Sequence, residues 1–483
     1  MEESVVEFFG REKELEELNN LWGKRASSLV TCRGRRRIGK STLITEFAKK
    51  SKARFIRIEG VRPREGYTNE IELEAFYAQL TAQAKVTGGK PKNWLEAFIL
   101  LDSVLDGRER TVVLLDEISW FGHYDKTFAD MLKIVWDSHW SAHERLVVVV
   151  CGSVSSWIRE NIIDNGAFLG RRSLDVVVRE LPLAECVKFW GKTAKRIDPR
   201  EIIDVLAVTG GVPRYLREVN PSLSAGENIR LMAFAPNTTL RTDFEEMFAD
   251  VITRQPTLTG EILRCLIEGP KSVSEIAAAL KSEKGGWASD LLQQLEEAGL
   301  VASDEGLNPE TGKEVRERCY RICDNYSRFY LKYIEPARPQ IDRGGYSFVA
   351  LEELKGWDSI MGYQFENLVI NNYAQLLKPL HLERTVIESA APYRRTGISG
   401  SPGVQIDFLI QTAHANLVIE IKRMKDIGLE VAREVEEKIS RFKRPRGKSF
   451  RPVLVYDGNI SPRLETEGYF DVILPFSKLM GLS

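Results

Sequence analysis

The stretch Thr31-Cys-Arg-Gly-Arg-Arg-Arg-Ile-Gly-Lys-Ser-Thr42 decides the fold of the amino-terminal part of this chain. From Gly34 to Ser41 it matches the phosphate-loop pattern G-x-x-x-x-G-K-[ST] at every constrained position. The flanks fit, because the apolar run that ends at Thr31 predicts a short buried strand and Ser41–Lys50 predicts an amphipathic helix. In such a loop the backbone N–H groups turn toward phosphate oxygens at a helix N-terminus. The stretch therefore predicts nucleotide binding.

The loop also assigns roles to its side chains. Lys40 is expected to reach the β- and γ-phosphate oxygens of ATP, and the Ser41 hydroxyl is expected to ligate Mg²⁺. The three consecutive arginines are expected to belong to the phosphate cradle and its interfaces rather than to a nucleic-acid patch. The predicted nucleotide-binding residues of the loop are Gly34, Arg35, Arg36, Arg37, Ile38, Gly39, Lys40, Ser41 and Thr42.

Composition sets limits on the class of protein. A chain of 483 residues predicts two to four domains, and 43% hydrophobic and 28% charged residues are typical of soluble proteins. The net charge of −1 gives no global attraction to nucleic acid or anionic membranes. The six cysteines have neither a paired framework nor zinc-ligand spacing, and the start Met1-Glu-Glu-Ser is acidic where a signal peptide is basic. We therefore expect a cytoplasmic protein without a membrane span.

Strands and helices alternate over residues 1–182, which predicts an α/β domain with a parallel sheet covered by helices. Residues 183–255 lose strand character and predict a helical lid. The predicted strands lie at Ser27–Thr31, Arg54–Glu59, Thr111–Leu115, Leu146–Cys151 and Leu174–Arg179.

The pattern changes twice more toward the carboxyl end. Three helices followed by two short strands predict a winged helix-turn-helix at residues 256–335. After a linker at 336–357, a helix at Gly362–Leu377 opens a second α/β domain at 358–483. Its strands are predicted at Val404–Ile410, Asn416–Ile421 and Pro452–Tyr456, with a charged helix at Leu429–Phe442.

Polar residues end the predicted strands of the first domain. Asp116 is expected to hold Mg²⁺ through water, and Glu117 to orient the attacking water, on the strand that stands beside the phosphate loop. Ser153, at the end of the next strand, is a candidate γ-phosphate sensor. Arg171 and Arg172 precede the last strand and are candidates to meet transition-state charge, in cis or from a neighbouring subunit of a homo-oligomer. An arginine pair on the surface is the equal alternative.

Together these motifs resemble the archaeal-type ATPase family, within the signal-transducing P-loop NTPases related to AAA+ proteins. The resemblance implies ATP–Mg²⁺ binding with slow, switch-like hydrolysis, and it assigns Pro213 and Arg214 to a motif that couples nucleotide to the lid. It covers about residues 8–330 and rests on Phe9-Gly-Arg-Glu-Lys-Glu-Leu15, the phosphate loop, Leu115-Asp-Glu117, Gly152-Ser153, Gly170-Arg-Arg172, Gly210-Gly-Val-Pro-Arg-Tyr-Leu216 and Tyr320–Tyr330.

A second group of charged residues lies in the carboxyl-terminal domain. Asp407 lies on one predicted strand, and Glu420 and Lys422, two apart on the next strand, share one face. Asp407 and Glu420 are predicted to hold one or two Mg²⁺ ions, with Lys422 assisting a water nucleophile or stabilising charge. Glu366, one helix upstream, is a further candidate carboxylate. This order, E…D…E-x-K, resembles the PD-(D/E)xK nuclease superfamily, which has a restriction-endonuclease-like fold, and the carboxyl-terminal domain that often accompanies archaeal-type ATPases.

The case for nucleic acid is divided. Arg441–Arg451 holds six basic residues and no acidic one, which suits a phosphate backbone, although a solvated loop is as good an explanation. Residues 256–330 carry nine basic against thirteen acidic residues, so poor affinity for duplex DNA is expected there. This segment is expected to pack against other domains, or to contact DNA weakly through Lys281 and Lys284, rather than to read a DNA sequence.

Two functions remain open. The first is an ATP-regulated, Mg²⁺-dependent nuclease that acts on DNA or another nucleic acid. The second is a signalling NTPase whose nucleotide state sets assembly and whose carboxyl-terminal domain binds nucleic acid or protein without cleavage.

Overall fold

The computed structural model describes residues 8–24, 26–153, 155–251, 255–281, 286–315, 318–346, 348–397, 402–443 and 447–482. The chain divides into two compact units between Leu181 and Pro182. The acidic start at residues 1–4, Lys284, and Arg444 and Arg446 of the basic segment lie outside the described residues. Within the described ranges, no helix combines the length and the apolar character needed to cross a membrane.

The first unit contains a parallel sheet of five described strands in the order β2, β3, β4, β1, β5. The predicted strands agree with the observed ones to within two residues at each end. The strands are β1 (Ser28–Arg33), β2 (Arg54–Glu59), β3 (Thr111–Asp116), β4 (Leu146–Gly152) and β5 (Arg172–Val177).

Helices cover this sheet. Trp94, Phe98 and Phe128 pack with one another against it, and the Trp94 and Phe128 rings meet edge to face with centroids 4.9 Å apart. The helices are α1 (Glu12–Asn20), α2 (Lys40–Lys50), α3 (Asn69–Gln83), α4 (Trp94–Asp102), α5 (Ile118–Phe121), α6 (Phe128–Ser138) and α7 (Ser155–Ile158).

The central strands β3 and β4 are buried along their whole length. Parallel strands covered by helices on both faces need such continuous apolar runs, which is why these two strands were the clearest in the sequence. The order of strands corrects one expectation. The acidic strand β3 does not lie beside the phosphate-loop strand β1, because β4 lies between them and pairs with both.

The second unit begins with helices. Residues 183–255 contain α8 (Leu183–Val187), α9 (Pro199–Thr209), α10 (Pro213–Leu216), α11 (Ala225–Ala233) and α12 (Thr239–Val251). Three more helices and a small antiparallel sheet in the order β6, β8, β7 follow. They are α13 (Pro256–Cys265), β6 (Lys271–Ser272), α14 (Val273–Ala279), α15 (Gly286–Glu297), β7 (Val301–Asp304) and β8 (Cys319–Ile322).

The carboxyl-terminal part of this unit is a mixed sheet in the order β13, β12, β11, β10, β9. The pairs β9–β10 and β10–β11 are antiparallel, whereas β11–β12 and β12–β13 are parallel. Its elements are α16 (Asn325–Phe329), α17 (Glu335–Asp342), α18 (Trp357–Asn371), β9 (Ile387–Arg395), β10 (Val404–Thr412), β11 (Ala415–Ile427), α19 (Leu429–Ser440), β12 (Ser449–Ile460), α20 (Pro462–Glu467), β13 (Val472–Pro475) and α21 (Phe476–Leu479).

Three features of this part differ from the predicted elements. The helix predicted to run to Leu377 ends at Asn371, where a 3₁₀ turn takes over. Strands β9 and β13 were not predicted. The stretch 336–357, predicted as a linker, contains most of α17, and its Asp342 forms an ion pair with Arg241 of α12 at 2.7 Å.

Candidate functional site

The phosphate loop lies between β1 and α2 in the first unit. Gly39, in the left-handed region with φ 93°, directly precedes the first residue of α2, Lys40. The Lys40 side chain is buried, and its Nζ donates to the carbonyl oxygen of Arg35 at 3.1 Å. The ammonium group is therefore held inside the loop, at the N-terminus of a helix where anions bind.

The remaining loop residues surround this ammonium group. Ile38 is buried, whereas Ser41 and Thr42 are half-buried at the start of α2. Arg35 is also buried and forms an ion pair with Glu180 at 2.9 Å, so this arginine is engaged within the unit, as expected for a cradle residue. Arg37 adopts a left-handed conformation with φ 68°, which is strained for a residue with a side chain.

Gly34 is required at the first loop position by two independent features. Its φ of 151° lies at the edge of the region that favours glycine, and a Cβ atom there would meet the carbonyl oxygen of Val178 at 2.3 Å. The carbonyl belongs to the chain that leaves β5, whose Val178 N–H donates to Arg33 at 2.8 Å. A side chain at position 34 would therefore push apart two hydrogen-bonded strands.

Asp116 ends β3 and is buried, as its predicted role requires. One carboxylate oxygen accepts a hydrogen bond from the Glu117 N–H at 3.2 Å. The other accepts one from the guanidinium of Arg57 on β2 at 2.8 Å. Arg57 also contacts Glu59 at 2.8 Å. Arg57 thus supplies a positive charge to Asp116, a partnership that the sequence analysis missed.

Glu117 and Ser153 meet at the same edge of the sheet. Glu117 has a left-handed backbone with φ 51° and leads into α5. Its carboxylate accepts hydrogen bonds from the Ser153 hydroxyl at 2.9 Å and from the Ser153 N–H at 3.3 Å. The structure therefore brings the predicted water-orienting acid together with the predicted sensor, and it holds that acid in a defined position.

Arg171 and Arg172 do not lie near the phosphate loop of their own chain. Arg172 pairs with Leu29 at the start of β1, whereas the loop follows the end of that strand. Four strand residues separate the two levels, which is roughly 13 Å. The prediction of a role in cis is therefore wrong for the arrangement in this structure. The Arg171 guanidinium holds both oxygens of Asp137, at 2.6 and 2.9 Å, and thereby lowers the pKa of that carboxyl to about 2.

Pro213 and Arg214 lie in the second unit, at the start of α10. Pro213 is the first residue of the helix, a position where the missing N–H costs nothing. The Arg214 guanidinium forms an ion pair with Glu218 at 3.1 Å and is half exposed. Their assignment to the nucleotide site stays a prediction.

The second group of charged residues lies on β10 and β11. The Asp407 carboxylate accepts a hydrogen bond from the Ile421 N–H at 2.9 Å, which ties the side chain to the neighbouring strand. Glu420, one residue before Ile421, has a side chain that is only 1% exposed. A register shift in the pairing of β9 and β10 falls between Ile406 and Leu409, on either side of Asp407. Such irregularities re-aim side chains.

Lys422 lies on the same face of β11 as Glu420, as predicted. Its Nζ lies 3.0 Å from Glu420 and 3.0 Å from Glu434 of α19. Although burial acts to lower it, the two carboxylates raise the pKa of the Lys422 ammonium above its ordinary value. Lys422 therefore keeps its charge and can stabilise negative charge, but it is poorly suited to accept a proton from water.

A second lysine, which the sequence analysis missed, also contacts Glu420. The Lys438 ammonium, on α19, lies 2.9 and 2.6 Å from the two carboxylate oxygens of Glu420. It also lies 3.9 Å from Asp407. Both predicted metal ligands are thus within reach of one ammonium group.

Glu366 of α18 completes the cluster electrostatically. It lines a cavity together with Asp407, Arg321 and Arg328. Burial first, and then the Asp407 carboxylate, raise the pKa of Glu366 to about 8. Burial and the Glu420 carboxylate raise the pKa of Asp407 to about 6, against the opposing effect of Lys438. The Glu366 carboxyl has no hydrogen bond or ion pair with the described residues.

The donor chemistry of this cluster fits a divalent cation, but its present geometry is that of an ion-pair network. Asp and Glu oxygens are the ligands that Mg²⁺ prefers, and the Glu366 carboxyl has no ion pair among the described residues although Arg321 and Arg328 line its cavity. Both oxygens of Glu420, however, face Lys438. In the part of the chain that the structure describes, no group of three or more His, Cys, Asp or Glu side chains converges to hold a metal.

The described residues of the basic segment are largely paired with acids. Three ion pairs involve this segment. They are Arg441 with Glu437 at 2.5 Å, Lys448 with Glu388 at 2.6 Å, and Arg451 with Asp471 at 3.2 Å. Within the described residues this segment is therefore less available to a phosphate backbone than its sequence indicates.

The amino-terminal part of the chain is similar to a known family. Residues 8–219 match the family model of an ATPase domain predominantly from Archaea. An uncharacterized protein of Methanocaldococcus jannaschii is 22% identical over 374 residues, which cover 75% of this chain and 76% of the relative. Residues 8–219 are thus similar to an ATPase domain of the archaeal type, in agreement with the phosphate loop that they contain.

Solved structures with a similar chain course include two archaeal proteins. The Walker-type ATPase of Pyrococcus abyssi has a TM-score of 0.47 and 17% identity, with 67% of this chain and 96% of that chain covered. The ORC2 protein of Aeropyrum pernix, solved in complexes with ADPNP and ADP, has a TM-score of 0.44 and 15% identity, with coverages of 70% and 95%.

Proposed function

We propose that this chain is a Mg²⁺-dependent ATPase whose nucleotide site regulates a nuclease-like carboxyl-terminal domain that acts on DNA. The observation that carries the ATPase part is the position of the Lys40 ammonium, held 3.1 Å from the Arg35 carbonyl within a loop at the start of α2. The match of residues 8–219 to an ATPase domain supports the same conclusion.

The residues of the first unit divide the work of hydrolysis. Gly34 to Thr42 bind the phosphates, and Ser41 and Asp116 would hold Mg²⁺, which supplies charge neutralisation between the β- and γ-phosphate oxygens. The Glu117 carboxylate accepts a hydrogen bond from the Ser153 hydroxyl at 2.9 Å. Once this hydrogen bond is released, Glu117 orients the attacking water. Because Ser153 contacts this acid directly, it can link the state of the γ-phosphate to the position of Glu117.

Residues outside the loop extend the proposal to an assembly. Arg171 and Arg172 lie at the edge of the sheet away from the loop of their own chain, so their role is toward the nucleotide of a neighbouring subunit in a homo-oligomer. We assign residues 1–182 to the ATPase core, 183–255, with Pro213 and Arg214, to a lid, 256–335 to a winged helix, 336–357 to a connecting segment and 358–483 to the nuclease-like domain.

Asp407, Glu420 and Glu366 are the proposed metal ligands of the nuclease-like domain, and Lys422 is the proposed charge stabiliser. The support is the lysine contacts of the two strand acids: Lys422 lies 3.0 Å from Glu420, and Lys438 lies within 4 Å of both Asp407 and Glu420. A bound Mg²⁺ would activate water and neutralise a scissile phosphate. Lys422 keeps its proton because Glu420 and Glu434 flank it, so it contributes charge.

One observation favours a second function, in which ATP controls assembly and the carboxyl-terminal domain binds nucleic acid or protein without cleaving it. Both oxygens of Glu420 face the ammonium of Lys438, an arrangement that needs no metal. A purely structural ion-pair network of this kind would explain the cluster equally well.

A paired experiment separates the two functions. Wild type, Lys40→Ala and Asp407→Ala are assayed for ATP hydrolysis and for Mg²⁺-dependent degradation of plasmid, linear duplex and single-stranded DNA. Lys40→Ala should lose at least about 100-fold in hydrolysis, because the charge on the transferred phosphate goes unmet. Asp407→Ala should keep hydrolysis and lose DNA degradation.

Matched variants control for charge alone. Lys50→Ala, at the exposed end of α2, should hydrolyse ATP as wild type does, and Asp426→Ala, on the exposed end of β11, should degrade DNA as wild type does. If Asp407→Ala and wild type are indistinguishable on every DNA substrate, the nuclease part is lost and the second function stands. Normal hydrolysis by Lys40→Ala would remove the ATPase assignment.

A further inference from the structure

Lys438 occupies a special place in the carboxylate cluster. Glu420 is nearly inaccessible, with 1% of its side chain exposed, so its charge needs a partner within the protein. Lys438 reaches both of its oxygens, at 2.9 and 2.6 Å, and lies 3.9 Å from Asp407. An ammonium group is a compact point charge, and here it stands between two carboxylates as a small cation would.

The two lysines of the cluster are held differently. Lys422 contacts Glu434 as well as Glu420, both at 3.0 Å, so it has a second carboxylate partner when Glu420 turns to another cation. The described ion pairs of Lys438 are with Glu420 and Asp407 alone, the two predicted metal ligands. Glu434 and Lys438 are four residues apart on α19 and therefore project from one face of that helix.

Glu366 supplies an independent observation, because Arg321 and Arg328 line its cavity and yet form no ion pair with its carboxyl. Its carboxyl lines the same cavity as Asp407, is largely enclosed, and has no hydrogen bond or ion pair with the described residues. The Lys438 ammonium contacts Glu420 and Asp407 but forms no ion pair with Glu366. A divalent cation, in contrast, can accept oxygen ligands from several carboxylates at once.

We propose that the Lys438 ammonium is a built-in counter-cation that takes the place of the divalent metal, and that metal binding requires it to withdraw from Glu420. This inference rests on the proposed metal site of the nuclease-like domain. The Lys438 ammonium is carried by a flexible four-carbon side chain that is 23% exposed, so it has a route to solvent. The cluster is thereby held in a metal-free state until Lys438 leaves.

Direct binding of Mn²⁺ by the full chain tests this inference without recourse to activity. The titration is followed by electron paramagnetic resonance of free Mn²⁺, in an Asp116→Asn background so that the nucleotide site does not contribute. Lys438→Met should bind Mn²⁺ at least about tenfold more tightly than the chain that retains Lys438, because the competing charge is gone. Arg433→Met removes a positive charge from an exposed position on the same helix and should leave the affinity unchanged.

Two further variants guard against loss of the fold. Lys438→Arg keeps the charge and offers a planar fork to Glu420, so it should bind Mn²⁺ no more tightly than the chain with Lys438. Asp407→Asn should abolish binding with either residue at position 438. Thermal unfolding of each variant establishes that the carboxyl-terminal domain is folded before the titration.

The outcomes are distinct. Equal affinities of Lys438→Met and the chain with Lys438, both lost on Asp407→Asn, would overturn the counter-cation inference and leave the metal site standing. Loss of binding in Lys438→Met would also overturn it, since Lys438 would then support the metal. If no variant binds Mn²⁺ above the Asp407→Asn level, both the metal site and the inference fall.

Discussion

The nucleotide site and the carboxylate cluster solve the same problem in different ways. Each places a strand acid beside a protein cation, with Arg57 on Asp116 at the end of β3 at 2.8 Å and Lys438 on Glu420 within β11 at 2.6 Å. At the nucleotide site the glycine loop and the start of α2 create a place for phosphate that exists without the metal. In the cluster, one ammonium holds both oxygens of the buried acid.

A pair of acids on neighbouring strands does not by itself make a metal site. The surrounding positive charges decide whether a divalent cation is needed. Around Asp116 the cation is a strand arginine that is 41% exposed, and an incoming phosphate brings charge that changes the balance. Around Glu420 two lysines already neutralise the buried acid.

The largest effect is expected for a substitution that disrupts the nucleotide site and leaves the carboxylate cluster intact. Gly34→Ala places a Cβ 2.3 Å from the Val178 carbonyl oxygen at a φ of 151°, so we expect a loss of about 4 kcal/mol in the stability of the first unit and loss of ATP binding. Gly89→Ala, at a position with no atom near the added Cβ, should cost less than about 1 kcal/mol. Chemical denaturation, followed with two probes, measures the loss of stability in each variant. A Gly34→Ala protein as stable as Gly89→Ala would contradict the described loop geometry.

Catalysis at the nucleotide site should be lost without loss of binding in Glu117→Gln. We expect about a 100-fold lower kcat for ATP hydrolysis, because the amide cannot polarise water, and an unchanged ATP affinity. Ser153→Ala removes the hydroxyl bonded to Glu117 at 2.9 Å but keeps the N–H, so about a tenfold loss is expected. Steady-state kinetics compares the two. A larger loss in Ser153→Ala than in Glu117→Gln would assign the water-orienting role elsewhere.

The strands of the first unit and the phosphate loop were predictable, and the reason is physical. Strands β1, β3 and β4 are short, largely apolar and buried runs, and the loop pattern is local in sequence. Strand β9 was not predictable, because Ile387–Arg395 contains a proline and buries its residues unevenly.

The cations of the two sites could not be predicted, since each depends on long-range packing. Arg57 lies 59 residues before Asp116, and its strand neighbours give no sign of the contact. Lys438 lies in a charged helix whose polar residues read as a solvated face, 18 residues after Glu420. One signal was present in the sequence. Glu434 and Lys438 are four residues apart and so lie on one face of the helix, from which both side chains can contact Glu420 and Lys422. The prediction that Arg171 and Arg172 act in cis was wrong because the register of β5 against β1, and not the order along the chain, sets how far these residues lie from the phosphate loop.

A buried acid that has no ion pair among the described residues sharpens the contrast with Glu420. Glu72 is 1% exposed, and within the described part of the chain its carboxylate accepts a single hydrogen bond, from the Val61 N–H at 2.8 Å. Burial raises its pKa to about 7. The folded state therefore holds a proton that the unfolded chain releases from pH 4.5 upward, so stability falls as pH rises through this window to about 7 and stays lower above it.

Glu72→Gln should remove this dependence. At pH 8 we expect the variant to be more stable than wild type by about 2 kcal/mol, and at pH 4 the difference should vanish. Glu74→Gln, at a position that is 66% exposed, should leave the profile unchanged. Thermal unfolding across pH 4 to 8 measures it. A wild-type profile as flat as that of Glu72→Gln would contradict the described burial.

The smallest effect tests whether Arg57 competes with metal as Lys438 is proposed to do. Arg57→Met frees one oxygen of Asp116, so the Mg²⁺ concentration for half-maximal ATP hydrolysis should fall about threefold. Arg54→Met, at the start of the same strand with contacts to Val104 and Glu109, should not change it. A higher Mg²⁺ requirement in Arg57→Met would mean that Arg57 serves the nucleotide instead of restraining Asp116.

The most direct measurement is calorimetric titration of ATP–Mg²⁺ into wild type, Lys40→Ala and Asp407→Asn. We expect the nucleotide to bind in the loop from Gly34 to Thr42, independently of the carboxyl-terminal acids. Wild type and Asp407→Asn should therefore have equal dissociation constants, and the affinity of Lys40→Ala should be at least about 100-fold weaker. Wild-type affinity in Lys40→Ala, or its loss in a folded Asp407→Asn protein, would contradict this expectation.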